Sequence, residues 1–185
     1  MLRIGLIGAG LIGRIHAAAW MQVPGARLVA ISDVNEAAAN RLATDFEVEV
    51  FYDAETMIDL ANVDVVDICV PTYLHEQFVV MAVRKGKHVL CEKPMAQSIS
   101  AADRIIEEVS GAGVKFMVAQ VLRFWPEYVA VKRLVDSGEL GQVLAVNAMR
   151  ISEQPTWGKW FQVPELGGSA LVDLFIHDLD FITWL

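Results

Sequence analysis

Residues 3–20 read RIGLIGAGLIGRIHAAAW, an apolar run followed by a G-x-G-x-x-G pattern and the start of a helix. Gly8 allows a tight turn, Gly10 lets a pyrophosphate approach the backbone, and Gly13 lets helix and strand pack closely. The phosphates would lie at the helix N-terminus, where free N–H groups and the macrodipole favour negative charge. The stretch therefore predicts the strand–turn–helix of a dinucleotide-binding domain.

An acidic residue lies where this fingerprint requires one. Asp33 ends the second predicted strand, twenty residues after Gly13. A carboxylate there accepts hydrogen bonds from the adenosine ribose hydroxyls and repels a 2′-phosphate, which favours NAD over NADP. Leu11 and Ile12, at the start of the helix, are assigned to the same cofactor site. The alternative is a glycine turn with Asp33 only capping a helix, but three agreeing features make that the weaker interpretation.

Short apolar runs alternate with helical patterns over residues 1–120, which is typical of βαβ units in a parallel sheet. Strands are predicted at residues 2–7, 27–32, 48–51, 64–70, 88–91 and 114–119. Helices are predicted at residues 13–22, 36–46, 54–61, 74–84 and 101–110. The expected fold class is α/β: a Rossmann doubly wound parallel sheet over residues 1–120, followed by a second region over residues 121–185.

The second region predicts different elements. Pro126 opens a helix that ends near Gly138, and residues 142–152 read as a strand of an antiparallel sheet. If the chain were complete at residue 185, we would expect residues 142–185 to expose an apolar face, with dimerisation, strand exchange or disorder there.

The last residues, GGSALVDLFIHDLDFITWL, predict one apolar helix that carries a few polar groups. At 100° per residue, Asp173, His177 and Asp180 share one stripe of that helix. Because burying unpaired charge is costly, the stripe must face partners or a wet cavity. Asp173 could orient His177 as a general acid or base, or the pair could only join two domains. Asp, His and Asp can also bind metal, but without a further His or Cys nearby no metal is predicted.

The composition limits the partners. Of 185 residues, 55% are hydrophobic and the net charge is −8, which argues against nucleic acid and anionic membrane surfaces. No apolar run is long enough to span a bilayer, and we expect a cytoplasmic homo-oligomer. Cys69 and Cys91 are expected to be buried apolar residues rather than a disulfide, and His16 and His88 to be structural.

The chain resembles the glucose–fructose oxidoreductase, inositol dehydrogenase and MocA family in four motifs. They are, in order, GAGLIGRIHA, PTYLHEQFVVMAVRKGKHVLCEKP, RFWPEYVAVKRLVDSGELGQV and GGSALVDLFIHDLD. The EKP step and the final D-x-x-x-H are specific, whereas the glycine fingerprint is shared with many dehydrogenases. The resemblance implies that residues 121–185 are the start of an α+β C-terminal domain. It also implies an NAD-dependent oxidoreductase that transfers hydride between nicotinamide and a secondary alcohol of a sugar, polyol or related substrate.

The resemblance also implies roles for individual residues. Lys93 matches the lysine that contacts the reacting hydroxyl, His177 matches the proton-transferring histidine, and Asp173 matches the acid beside it. Pro71, Thr72 and His75 match the segment that lines the nicotinamide end, and Glu92 and Lys93 are also assigned to the cofactor site. The Lys93–Pro94 bond matches one that is often cis in this family. The substrate candidates, which could equally pack a loop, are Arg123, Arg150, Trp157 and Trp160.

Two departures from the family pattern keep other functions open. Phe175 stands where members commonly have glycine, and members continue for roughly as long again. One alternative is a truncated, non-catalytic NAD-binding protein or subunit. Another is an NAD-assisted hydrolase or lyase that works through a transient ketone.

Overall fold

The computed structural model describes residues 1–153, 160, 163, 166 and 170–185. They form two compact units, Met1–Val118 and Ala119–Leu185. No helix among these residues is long and apolar enough to cross a membrane.

The first unit is built on a six-stranded sheet of order β3-β2-β1-β4-β5-β6, with every pair of neighbours parallel. The strands are β1 Leu2–Ile7, β2 Ala26–Ser32, β3 Glu49–Phe51, β4 Val65–Ile68, β5 His88–Cys91 and β6 Phe116–Val118. The helices between them are α1 Leu11–Trp20, α2 Glu36–Phe46, α3 Ala54–Leu60, α4 His75–Arg84 and α5 Ile99–Ala112. The predicted doubly wound parallel sheet is confirmed.

The sheet is buried by helices on both faces, as its uninterrupted apolar strands predict. Ile4, Leu6 and Ile68 have no exposed surface, and every residue of β4 is buried, including Asp67. Three helices begin at side-chain caps, which are Asn35, Asp53 and Ser98. By contrast, α1 begins at Gly10 without a side-chain cap, so its first N–H groups remain available to a ligand.

The second unit contains α6 Pro126–Asp136, α7 Ala170–Asp173 and α8 Ile176–Trp184. Phe181 of α8 packs edge-on against Tyr128 of α6, with ring centroids 4.7 Å apart. The described part of this unit contains no strand, so the strand predicted over residues 142–152 is wrong. A strand needs a partner to accept its backbone hydrogen bonds, and no described segment pairs with these residues. Leu144 and Met149 are accordingly exposed.

The final helix differs from the prediction as well. The expected single helix is broken at residues 174–175, so Asp173 ends α7 whereas His177 lies in α8. The apolar residues run through the break without interruption, and their pattern therefore gave no sign of it. The predicted stripe of Asp173, His177 and Asp180 along one continuous helix is thus wrong, although His177 and Asp180 remain one turn apart in α8.

Candidate functional site

Three neighbouring strands of the first unit bring their following loops to one edge of the sheet. Because β1, β4 and β5 are parallel and adjacent, Gly8, Pro71 and Lys93 all lie at their carboxyl ends. The chain order reverses between β1 and β4, and such a switch point is where open α/β sheets bind their ligands. This edge is therefore the candidate cofactor site.

The glycines at this edge have the conformations that the fingerprint predicts. Gly8 has a φ of +104°, and a Cβ there would lie 2.5 Å from the carbonyl oxygen of Cys69. A Cβ at Gly13 would lie 1.8 Å from the Gly8 carbonyl oxygen, so only glycine lets α1 start this close to β1. A Cβ at Gly10 would meet no atom within 4 Å. Gly10 therefore faces open space beside the uncapped start of α1.

Asp33 ties the glycine loop to the end of β2. Its Oδ2 accepts the Ala9 amide (2.7 Å) and its Oδ1 accepts the Asn35 amide (2.8 Å). Each carboxylate oxygen has a further lone pair, so these bonds are compatible with a ribose hydroxyl. The predicted ribose contact stays a prediction, and the structure adds a loop-holding role that the sequence did not reveal.

These features fit a dinucleotide. Leu11 and Ile12 are exposed in the first turn of α1, with relative exposures of 52% and 36%, and that turn's N–H groups have no acceptor within the helix. Together with the space beside Gly10, they can receive a pyrophosphate. Gly8, Gly10 and Gly13 shape this cradle, and Asp33 holds its loop.

The EKP motif forms a fixed turn after β5. Its Lys93–Pro94 peptide is cis, as the resemblance implied. The Lys93 amide donates to Glu92 Oε2 at 2.9 Å. The His75 ring nitrogens lie 2.8 Å from the Pro94 carbonyl oxygen and 2.9 Å from that of Val70. His75 thus joins the loops that follow β4 and β5.

His75 and Thr72 lie beneath this surface rather than on it. They are 1% and 3% exposed, and burial lowers the pKa of His75. We therefore expect them to shape the pocket, with Pro71 nearer its surface. Their assignment to the nicotinamide end stays a prediction.

A polar cluster behind the EKP turn was missed from the sequence. Asp67, fully buried in β4, accepts from the Trp20 indole N–H (2.6 Å) and faces the His16 ring (3.0 Å). The other His16 ring nitrogen lies 3.2 Å from Glu92 Oε1. The available signal was Asp67 itself, since an acidic residue inside an apolar parallel strand requires a partner. His16, predicted to be structural, is that partner.

His16, Asp67 and Cys69 place their ligand atoms within 4.8 Å of one another, a composition that some metals accept. Both His16 nitrogens face carboxylates, however, so the ring acts as a donor on both sides and offers no lone pair. Burial also raises the pKa of Cys69 and Cys91, which keeps both as thiols. This geometry favours an ionic network over a metal centre.

The second unit engages both predicted substrate arginines in ion pairs. Arg123 pairs with Asp180 through two contacts of 2.8 and 2.7 Å. Arg150 pairs with Asp178 through contacts of 2.7 and 2.9 Å, and this arginine holds the pKa of Asp178 below its usual value. Asp178 was not singled out from the sequence, although it is 6% exposed. Its arginine partner explains a buried carboxylate in an apolar helix.

The remaining predicted site residues are not tested by these contacts. Asp173 and His177 keep their predicted chemical roles as predictions, and so does Trp160. Trp157 lies outside the described residues. The substrate roles of Arg123 and Arg150 also stay predictions.

Comparison with known proteins decides the family. Residues 2–120 match the model of an oxidoreductase family with an NAD-binding Rossmann fold, and residues 128–185 match the GFO/IDH/MocA C-terminal domain. The chain belongs to the GFO/IDH/MocA oxidoreductase family. The predicted family is confirmed, and so is NAD as the cofactor of the Rossmann domain.

Curated GFO/IDH/MocA relatives align along the whole chain. Inositol 2-dehydrogenase 2 of Saccharopolyspora erythraea is 36% identical over 100% of this chain and 53% of its own length. The inositol 2-dehydrogenase of Paracoccus denitrificans is also 36% identical, over 100% of this chain and 54% of its own. The chain thus spans about half the length of the curated relatives it matches.

Solved GFO/IDH/MocA structures share the fold. The WlbA dehydrogenase of Bordetella pertussis, solved with NADH and UDP-GlcNAcA, has a TM-score of 0.89 at 28% identity over 100% of this chain and 55% of its own. The apo scyllo-inositol dehydrogenase of Lactobacillus casei has a TM-score of 0.84 at 29% identity over 100% of this chain and 54% of its own.

Proposed function

We propose that this chain carries the cofactor site and the chemical groups of an NAD-dependent dehydrogenase that acts on a secondary alcohol of a sugar or polyol. The observation that carries the proposal is the EKP turn, which places Lys93 at the sheet edge where the glycine loop also lies. The inositol dehydrogenases among the relatives favour a cyclic polyol as the first substrate to test.

The proposed roles follow from the chemistry of each side chain. Bound NAD supplies a hydride acceptor or donor. Lys93, a cation with three N–H donors, hydrogen-bonds the reacting oxygen of the substrate. His177 takes the hydroxyl proton during oxidation and returns it during reduction, since imidazole titrates near neutral pH. Asp173 steadies the imidazolium form of His177. The glycine loop and Asp33 hold the dinucleotide.

The test measures NADH formation by this chain with myo-inositol, scyllo-inositol and a panel of sugars, using NAD and NADP in parallel. Lys93→Met and His177→Asn should each lower kcat by about 10²- to 10⁴-fold, the range for a lost acid–base or polarising group. Their affinity for NADH, followed by nicotinamide fluorescence, should stay within about twofold. Lys115→Met is the matched control, because Lys115 precedes β6 at the opposite edge of the same sheet.

Near-normal turnover in both variants would remove Lys93 and His177 from the mechanism. NADH binding without turnover on any polyol or sugar would instead favour the non-catalytic NAD-binding alternative. Product release without net NADH formation would favour the hydrolase or lyase alternative.

A further inference from the structure

Helix α1 is joined to the centre of the sheet by two polar side chains on its buried face. Trp20 donates its indole N–H to Asp67 Oδ2 at 2.6 Å, and His16 Nδ1 lies 3.0 Å from the same oxygen. Asp67 has no exposed surface. A buried carboxylate is stable only when donors satisfy it, and α1 supplies both of these.

The second nitrogen of His16 continues the chain of contacts. Nε2 lies 3.2 Å from Glu92 Oε1, so carboxylates face both sides of the ring. A neutral imidazole has a single N–H, whereas the imidazolium ion has two. Burial opposes protonation of His16, but the hydrogen bonds to Asp67 and Glu92 outweigh it and raise the pKa to about 10. His16 is therefore a cation at neutral pH.

Glu92 links His16 to the EKP turn through its two carboxylate oxygens. While Oε1 faces His16, Oε2 accepts the Lys93 amide at 2.9 Å. On the other side of the turn, His75 Nδ1 lies 2.8 Å from the Pro94 carbonyl oxygen. The Lys93–Pro94 step is thus held at its amide through Glu92, and its carbonyl lies against the buried His75 ring.

We propose that His16 is a positioning residue for Lys93. It fixes the Glu92 carboxylate, Glu92 fixes the Lys93 backbone, and the lysine side chain is thereby presented at the carboxyl edge of the sheet. The inference rests on the proposed function, in which Lys93 contacts the reacting oxygen. It assigns a role in catalysis to a residue of the cofactor-binding helix that does not itself touch the substrate.

Glu92 cannot hold this geometry without His16. With the imidazolium removed, Glu92 Oε1 would lose the cation that stands between it and the negative charge of the buried Asp67. Its side chain is 18% exposed, so it can turn towards water and release the Lys93 amide. A glutamine at position 92 makes a similar test with less disturbance of the core. Its NH₂ group must stand opposite the Lys93 amide, which is a donor, or opposite His16, which can accept only by losing its second ring proton and its positive charge.

The test is amide hydrogen exchange by NMR on this chain, because it requires no turnover. In His16→Phe and in Glu92→Gln, the Lys93 amide should exchange at least about tenfold faster than in the parent protein. The Val89 amide, which donates to the Lys115 carbonyl across the sheet, should keep its rate. His88→Phe is the matched control, since His88 contacts only the Lys115 amide among the hydrogen bonds described for its ring.

A folded His16→Phe protein whose Lys93 amide exchanges within twofold of the parent rate would overturn the proposal. If that variant does not fold, a Lys93 rate within twofold of the parent in Glu92→Leu, whose side chain has no acceptor, would overturn it. Equal acceleration at Lys93 and Val89 would also overturn it, since that pattern means general destabilisation. In a form that turns over substrate, Glu92→Gln should lower kcat about tenfold. The exchange experiment does not depend on activity. It therefore tests the positioning of Lys93 even if the protein proves not to be a dehydrogenase.

Discussion

Gly13→Ala, at the start of α1, should destabilise the first unit, whereas Gly111→Ala, inside α5, should not. The added Cβ would stand 1.8 Å from the Gly8 carbonyl oxygen, whereas carbon and oxygen in contact need about 3.3 Å. Helix α1 or the Gly8 turn must therefore move by about 1.5 Å in an interior packed at crystal density. Overpacking costs about 1–3 kcal/mol, and backbone atoms cannot rotate aside. We expect a loss of about 3 kcal/mol in the free energy of unfolding.

Two further glycines separate folding from cofactor binding. A Cβ added at Gly111, inside α5, would meet no atom within 4 Å. Gly111→Ala should therefore stabilise the protein by about 0.5–1 kcal/mol through helix propensity. A Cβ added at Gly10 would also meet no atom within that distance, and the φ of Gly10 is −78°. Gly10→Ala should leave stability within about 0.5 kcal/mol. It should nevertheless weaken NADH binding at least about tenfold, because its methyl group enters the pyrophosphate site.

Urea unfolding followed by circular dichroism measures the three stabilities, and nicotinamide fluorescence measures NADH binding. The packing argument fails if Gly13→Ala is as stable as Gly111→Ala. The placement of the pyrophosphate fails if Gly10→Ala binds NADH as tightly as the parent protein.

Two other predictions concern charge. His16 has a folded pKa of about 10 against an ordinary value of 6.5, so its stabilisation is complete below pH 6.5 and is lost as the pH rises through 10. Between pH 6.5 and 10, the free energy of unfolding in urea should fall with pH more steeply in the parent protein than in His16→Phe, by up to about 1.4 kcal/mol per pH unit. Parallel plots of this free energy against pH for the two proteins would contradict the prediction. In the second unit, Asp178→Asn leaves the Arg150 charge without its carboxylate. Hydrogen exchange should show the α8 amides opening about 1–3 kcal/mol more readily. Asp136→Asn removes an exposed ion pair with Lys132 and should change the opening free energy of the same α8 amides by less than about 0.5 kcal/mol. Equal changes in the two variants would refute the stronger role of the Arg150–Asp178 pair.

The parts of the fold that could be predicted are those that depend on neighbouring residues. The turn at Gly8, the close packing at Gly13 and the six strands follow from local spacing and apolar runs. The His16–Asp67 contact joins residues 51 positions apart, and no local pattern encodes it. Only the presence of Asp67 in an apolar strand indicated that some partner exists.

The two errors in the second region have different physical reasons. Residues 142–152 carry the apolar alternation of a strand, but a strand also needs a neighbouring ladder, which alternation cannot supply. The final helix breaks at residues 174–175, where hydrophobic periodicity continues unchanged. The pairings of Arg123 with Asp180 and of Arg150 with Asp178 could not be read from spacing either, because each joins helix α8 to a residue far away in the chain.

The two backbone amides held by Asp33 bear on attempts to re-engineer this domain for NADP. Removing the carboxylate to admit a 2′-phosphate also removes the acceptors of the Ala9 and Asn35 amides, and so loosens the loop that must hold the pyrophosphate. Asparagine keeps one acceptor oxygen and can serve only one of the two amides well. With the ribose contact predicted for Asp33, cofactor preference and loop order would be coupled through one side chain. A successful exchange would have to supply a new acceptor for the Ala9 amide together with the cation that binds the phosphate.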